Sequence, residues 1–355
     1  MVIYMIAKKM NFFLIIFAFI SIITLYSARS ILPSNLDNIY VKQTIIYLIG
    51  LIIFFLLKSN KLFFEYITIE YVISCFFLLA LLIFTTPINN AKCWFTIPLI
   101  GTIQPSEFVK IFLIIFLATI LTKETKYKWF KILIAFIIPA ILTYLEPDTG
   151  LVIIYIIGTL TMILCYLKKY KYLIIPIIIL LIIGLTAIFL YQYKSELLLS
   201  ILGDSFLVRI NRIINWQNQD GYQLNNALTA IGANGVNISF DKINTYFPEA
   251  HTDFIFATIA SSFGYFFTII FLIIILLFDL FLLNISLKEK NKTNKLIIIG
   301  FVSMIIYEQI QHIGMNIGLL PITGITLPFI SYGGSSLTSS ILMLTIIKNM
   351  QQKKE

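Results

Sequence analysis

The sequence predicts an all-α polytopic membrane protein with about ten transmembrane helices, both termini cytoplasmic, and one long extracytoplasmic loop before the eighth helix. Three observations predict it. The chain is 59% hydrophobic and 12% charged, with a mean hydropathy of +0.94, whereas a soluble domain is about half apolar and a quarter charged. Apolar runs of about 20 residues, the length that crosses a bilayer, recur from end to end. The cationic side chains gather in alternate connections between those runs, the pattern by which cytoplasmic loops are recognised.

The predicted spans are roughly 10–29, 41–58, 69–87, 106–122, 131–146, 150–167, 172–192, 254–284, 296–318 and 325–347. The eighth run exceeds one crossing, so its helix tilts or extends past the bilayer. The first run ends in YSARS without a small-residue cleavage pattern and reads as a retained helix. With the N-terminus inside, 18 of the 26 lysines and arginines fall in inner loops, among them the KETKYKWFK and KEKNKTNK connections. That distribution explains the net charge of +9 as topology and attraction to anionic lipid, and gives no reason to invoke nucleic acid. The whole chain, 1–355, reads as one membrane domain without a soluble module, and its three cysteines form no disulfide framework.

The outer side is poor in cations but holds 10 of the 17 carboxylates. One outer loop, about 193–252, is long, and long loops in compact proteins are functional or disordered; its aromatic and apolar content favours function. Four polar clusters stand on this side. In QPSEFVK (104–110), Pro105 suits a first helical position and Glu107 the first turn. Glu107 and Lys110, three apart, can pair; a capped helix start with a buried ion pair is the plain alternative to a substrate contact. EPDTG (146–150) is a sharp break between apolar runs in which Asp148 can cap the following helix. PITGITLPFISYGGSS (321–336) interrupts a hydrophobic segment with two prolines and three glycines. Irregular backbone at membrane depth is tolerated where it is buried in protein or lines a cavity.

The fourth cluster, PEAHTDFIFA (248–257), opens the eighth run. Thr252 or Asp253 can cap the helix there. If the turn is helical, Glu249 and Asp253 share a face and repel, which raises at least one pKa and makes a carboxylate a candidate general base. His251 has only His312 as company among histidines, so no zinc cluster is in view.

In this order, the clusters resemble the SEDS family of bacterial cell-wall polymerases, which includes FtsW, RodA and SpoVE. The resemblance covers nearly the whole chain. It runs through LYSARS (25–30), Gln43, AKCW (91–94), QPSEFVK, EPDTG, GYQLNNALTAIGANG (221–235), PEAHTDFIFA and GLLPITGITLPFISYGGSS (318–336). It implies a multi-pass protein of the bacterial cytoplasmic membrane that polymerises lipid II into glycan strands at the outer face. It also implies a class B penicillin-binding protein as partner, with other division or elongation machinery. By the resemblance, an acceptor sugar hydroxyl attacks the donor's anomeric carbon with inversion, undecaprenyl pyrophosphate leaves, and the essential aspartate falls on Asp253. The expected substrate-facing residues at the helix starts and in the loop are Gln104, Ser106, Glu107, Lys110, Asp148, Arg209 and Arg212. Those near Asp253 and the glycine-rich segment are Glu249, His251, Thr252, Ser331 and Ser335. Lys110, Arg209 and Arg212 are the cations expected to stabilise the leaving pyrophosphate. A divalent cation is a possible addition, for which the sequence offers no ligand set.

The chain departs from the family pattern at several places. The arginine of Gly-Ala-x-Arg-Trp is replaced by Cys93, two glutamates after HTDFIFA by Ser261 and Ser262, Thr-Ala after EPDTG by Leu151-Val152, and the glycine-rich run after AIGANG by VNISF. The segments fit both division-type and elongation-type members. Two rival readings are a flippase or transporter for a lipid-linked precursor, which also wants a polar cavity and broken helices, and a non-catalytic scaffold for the penicillin-binding protein.

Overall fold

The structure, a computed structural model, describes residues 2–33, 36–59, 61–86, 92–97, 101–168, 221–235 and 246–352. The predicted span 172–192, most of the 193–252 loop, and Arg209 and Arg212 lie outside the described residues. Helices dominate: α1 (Val2–Ala28), α2 (Ile39–Leu56), α3 (Lys61–Glu65), α4 (Ile67–Phe84), α5 (Pro105–Thr122), α6 (Lys128–Leu145) and α7 (Thr149–Leu167). Beyond them come α8 (Tyr222–Asn234), α9 (Ile255–Lys288), α10 (Lys292–Asn316) and α11 (Gly334–Gln352). Among the described residues, eight helices are long and apolar enough to cross a membrane: α1, α2, α4, α5, α6, α7, α9 and α10. Their bounds follow the predicted spans closely.

The bundle is built around α5 and α10. In each, 67% of the apolar window is buried, against 22% in α6 and 28% in α2. α10 packs on α5, α7 and α9, while α5 also meets α4 and α6. Outer helices instead turn side chains such as Phe12, Phe76 and Leu277 outward, the arrangement of a protein solvated by lipid.

Three features depart from the sequence reading. The tenth span, predicted from 325, begins only at Gly334, because residues 317–333 form turns and extended segments rather than helix. Pro321 and Pro328 lack the amide that a helix needs, and Gly318 and Gly324 take φ of +77° and +74°. Second, α9 is not one smooth 34-residue helix: Gly264 adopts φ 73°, ψ 176° and breaks it. The amide of Tyr265, just past the break, donates to the Gly235 carbonyl at 3.0 Å. Third, an antiparallel hairpin of β1 (Phe95–Ile97) and β2 (Gly101–Ile103) precedes α5.

The polar clusters share one end of the bundle: the starts of α5, α7, α9 and α11 and the close of α10. The opposite end carries the lysine-rich connections. There, Thr293 at the start of α10 donates to Thr122 at the end of α5 (3.0 Å), and Gln351 of α11 donates to Glu289 between α9 and α10 (2.8 Å). Small α8 sits on the site end through Leu224, Ala227 and Ala230, which pack with Phe247, Ala250, Phe254 and Ala257.

Candidate active site

Asp253 sits on a turn, not on a helical face. Glu249 adopts φ +54°, which takes the chain out of helical register. Its carbonyl then accepts from the amides of Thr252 (3.1 Å) and Phe254 (3.0 Å). The Thr252 hydroxyl donates to Glu249 Oε2 at 2.6 Å. Two expectations are corrected here. Glu249 and Asp253 do not stack on one helical face, and Thr252 does not cap α9. The cap position is Phe254, which supplies no side-chain hydrogen bond. His251 is half-buried; burial lowers its imidazole pKa, opposed by the nearby Glu249 carboxylate, so the ring is neutral at pH 7. Its Nδ1 has no hydrogen-bond partner in the described structure.

The turn is fastened to the irregular segment 317–333. Ser331 Oγ donates to the Thr252 carbonyl at 2.9 Å and accepts from the Leu327 amide at 2.9 Å. The Tyr332 amide donates to the His251 carbonyl at 2.9 Å. Gln43 of α2 donates to the Ser331 carbonyl (3.1 Å), holding the same segment from behind. Two residues at the end of α10 hold its other half: Gln311 donates to the Pro321 carbonyl at 2.9 Å, and His312 Nδ1 lies 2.8 Å from the Ile325 carbonyl. Gly324 lies between these fastenings, where a Cβ would sit 3.6 Å from Asp253 Oδ2.

The remaining clusters attach to that segment or to the start of α11. Asp148 caps α7 as expected, accepting from the Leu151 amide at 3.0 Å, and its other oxygen accepts from Gln104 Nε2 at 2.8 Å. Ser335 Oγ accepts from the Gln104 amide at 2.9 Å. Gly150 is pressed against Thr323 and Ile325, where an added Cβ would come 3.4 Å from the Thr323 carbonyl oxygen and 2.9 Å from Ile325 Cγ1. The segment that begins at Pro321 is thus the common support for the other three clusters. Beside Asp148, the Glu146 carboxyl is fully buried and neither oxygen has a hydrogen-bond partner. Burial, reinforced by Asp148, pushes its pKa up to about 9. Burial likewise raises Asp148 to about 6, opposed chiefly by the Leu151 amide. Cys93 lies against this turn, its thiol 2.8 Å from the Glu146 carbonyl.

Glu107 and Lys110 do pair, at 2.7 Å, but a third member was missed: Glu308 of α10 meets the same ammonium at 2.7 Å. Ser339 Oγ donates to Glu107 Oε2 at 2.9 Å. The Lys110 side chain is 1% exposed, so it is a satisfied ion-pair centre between α5, α10 and α11, not a cation on a surface. Ser106 is buried, and its carbonyl accepts from Tyr155 at 2.7 Å. Among the described residues, no group of three or more His, Cys, Asp or Glu side chains is placed to hold a metal ion.

The cell cycle protein family of FtsW, RodA and SpoVE matches residues 7–355. The chain belongs to this family. It is therefore a multi-pass protein of the bacterial cytoplasmic membrane. A probable peptidoglycan glycosyltransferase FtsW of Buchnera aphidicola (subspecies Schizaphis graminum) is 31% identical over 334 residues, covering 87% of this chain and 89% of the relative. The corresponding FtsW of Bacillus subtilis is 34% identical over 297 residues, covering 78% and 71%. In fold, the chain resembles a chain solved in a study of how a peptidoglycan synthase complex coordinates polymerization and crosslinking (TM-score 0.81, 21% identity, 98% and 97% covered). It also resembles the rod shape determining protein RodA of Thermus thermophilus (TM-score 0.70, 22% identity, 98% and 96% covered).

Sequence reasoning missed Glu308, His312 and Asn316 of this FtsW/RodA/SpoVE chain. Glu308 and His312 left a readable signal: ionisable side chains within the predicted span 296–318, which call for partners.

Proposed function

We propose that this protein is a peptidoglycan glycosyltransferase that polymerises lipid II, with Asp253 as general base, beside a class B penicillin-binding protein. The names of its curated relatives support the activity. One observation carries the assignment of the base: Asp253 is a partly exposed carboxylate on a turn pinned by the 317–333 segment, at the bundle end remote from the lysine-rich loops. By the positive-inside rule that end is extracytoplasmic, the side on which the lipid-linked sugar is polymerised.

The chemistry follows from the carboxylate. A sugar hydroxyl is a weak nucleophile until a base takes its proton. Asp253 accepts that proton as the acceptor oxygen bonds to the donor's anomeric carbon. The bond from that carbon to the pyrophosphate oxygen breaks on the opposite face, and the configuration inverts. Neutral His251 in the same turn does not repel a cation. The leaving pyrophosphate needs positive charge; with Lys110 committed to two carboxyls, Arg209 and Arg212 are the residues proposed for it. A divalent cation would add charge there, but the described residues give it no clustered ligands.

The test is a gel assay of glycan formation from labelled lipid II in detergent, with and without the penicillin-binding partner. Wild type makes polymer; Asp253→Ala and Asp253→Asn make none while keeping fold and partner binding. Wild type that binds its partner yet makes no polymer overturns the enzyme in favour of a scaffold, or of a flippase if it moves lipid II across vesicles.

A further inference from the structure

We infer that Asn316, the last residue of α10, is a positioning residue for Asp253: its fully buried carboxamide caps α9 from across the bundle and fixes the backbone of the catalytic turn. This rests on the reading of Asp253 as base. Asn316 Oδ1 accepts from the Ala257 amide at 2.9 Å, and Nδ2 donates to the Asp253 carbonyl at 2.9 Å and to the His312 carbonyl at 2.8 Å. A carboxamide has two N–H donors and one acceptor oxygen, and here all are used. The orientation is fixed, because the reversed amide would face N–H to N–H and oxygen to oxygen.

The position matters as much as the bonds. A helix opens with orphan amides that a cap residue normally satisfies from the preceding turn. Ala257 is in the first turn of α9, and Thr252 does not cap it. Thr252 spends its hydroxyl on Glu249, and the cap position, Phe254, has no side-chain acceptor. The acceptor for the Ala257 amide is thus supplied in trans, from α10. The Asn316 carboxamide also donates to the Asp253 carbonyl, on the same residue as the carboxylate that must meet a sugar hydroxyl. One turn back on α10, His312 meets the Ile325 carbonyl at 2.8 Å, next to Gly324 and hence next to Asp253 Oδ2. The end of α10 therefore sets both the base and the backbone facing it. A misplacement of about 1 Å at a reacting group can cost on the order of a hundredfold in rate.

The experiment compares purified Asn316→Leu with wild type in steady-state lipid II polymerisation, separating kcat from KM, per folded molecule. The control is Asn349→Leu. It removes a comparably buried amide that donates to the Leu57 carbonyl at 2.8 Å at the opposite end of the bundle. A positioning role requires kcat to fall about 10–100-fold with KM within about threefold, and the acid limb of the pH–rate profile to move. The control stays within about twofold with an unmoved limb. If Asn316→Leu does not fold, Asn316→Asp carries the same test, since it keeps the acceptor for Ala257 and loses both donors. Asn316 variants that match Asn349→Leu per folded molecule, while Asp253→Ala is dead, overturn this inference alone. Polymer from Asp253→Ala and Asp253→Asn at wild-type rate overturns the base, and this inference with it.

Discussion

Lys110 and Glu308 stand 198 residues apart in sequence, and their side chains meet at 2.7 Å in the middle of the bundle. With Glu107 on the same ammonium, one cation serves two carboxyls and ties α5 to α10. The arithmetic of charge orders the variants. Lys110→Ala leaves two carboxyls without a cation and is expected to cost about 3–5 kcal/mol, the range for breaking a buried pair. Glu308→Ala leaves Glu107 and Lys110 as a neutral pair, still supported by Ser339, and costs clearly less. Thermal unfolding in detergent, followed by tryptophan fluorescence, checks the order. Equal melting temperatures for Lys110→Ala and wild type would show that the network contributes nothing to stability.

The Glu146–Asp148 turn predicts a pH dependence of stability. Both acids are raised in the folded protein, to about 9 and about 6, chiefly by burial. Between its unfolded and folded pKa, each is more protonated when folded, so stability falls as pH rises through that window. Asp148 contributes only below about pH 6, which leaves Glu146 to dominate from there to about 9. Wild type is therefore expected to melt at a lower temperature at pH 9 than at pH 6. Glu146→Gln, which cannot ionise, should flatten the slope and be the more stable protein at pH 9. A slope unchanged by Glu146→Gln would mean that other groups set it.

How much of this was legible in the sequence depends on range. The spans were readable because hydropathy is summed over about 20 neighbours, and Asp148 was readable as a cap because its target, Leu151, is three residues on. Glu107 and Lys110 were readable for the same reason. Glu308 was not paired with them, since nothing local says that α10 crosses α5 at that height. The PEAHTD turn was misjudged because a left-handed residue at Glu249 breaks the helical spacing on which the Glu249–Asp253 argument stood. Its actual cap, Asn316, comes from 59 residues beyond Ala257, a distance that no capping pattern spans.

The paired serines that replace the family glutamates have a local answer. Ser27 donates to Ser262 at 2.8 Å, Ser261 donates to the Thr258 carbonyl at 3.2 Å, and Ser262 is fully buried. Both of these hydrogen bonds are neutral. Ser262→Glu is thus expected to destabilise, by about 3 kcal/mol or more, because it places a carboxylate at a fully buried position whose hydrogen-bond partner is the neutral Ser27 hydroxyl. Ser262→Ala costs only about 1 kcal/mol, the net worth of one hydrogen bond. Melting temperatures of the two variants decide it; a Ser262→Glu protein as stable as wild type would mean that a cation reaches this position.

Gly324 offers a way to separate backbone strain from crowding at the proposed base. Its φ of +74° disfavours any side chain, and a Cβ there would stand 3.6 Å from Asp253 Oδ2. Gly324→Ala is expected to lose about 1–2 kcal/mol of stability, the left-handed penalty for an ordinary residue. Asn tolerates that backbone better than Ala, so Gly324→Asn should retain more stability. Yet Asn brings a larger polar side chain beside the carboxylate, where the acceptor hydroxyl must approach within about 3 Å. The order of the two variants should therefore invert between assays: Asn above Ala in melting temperature, Ala above Asn in polymerisation rate per folded molecule. Rates that simply follow melting temperature would reduce Gly324 to a backbone role and place the reacting hydroxyl on another side of Asp253.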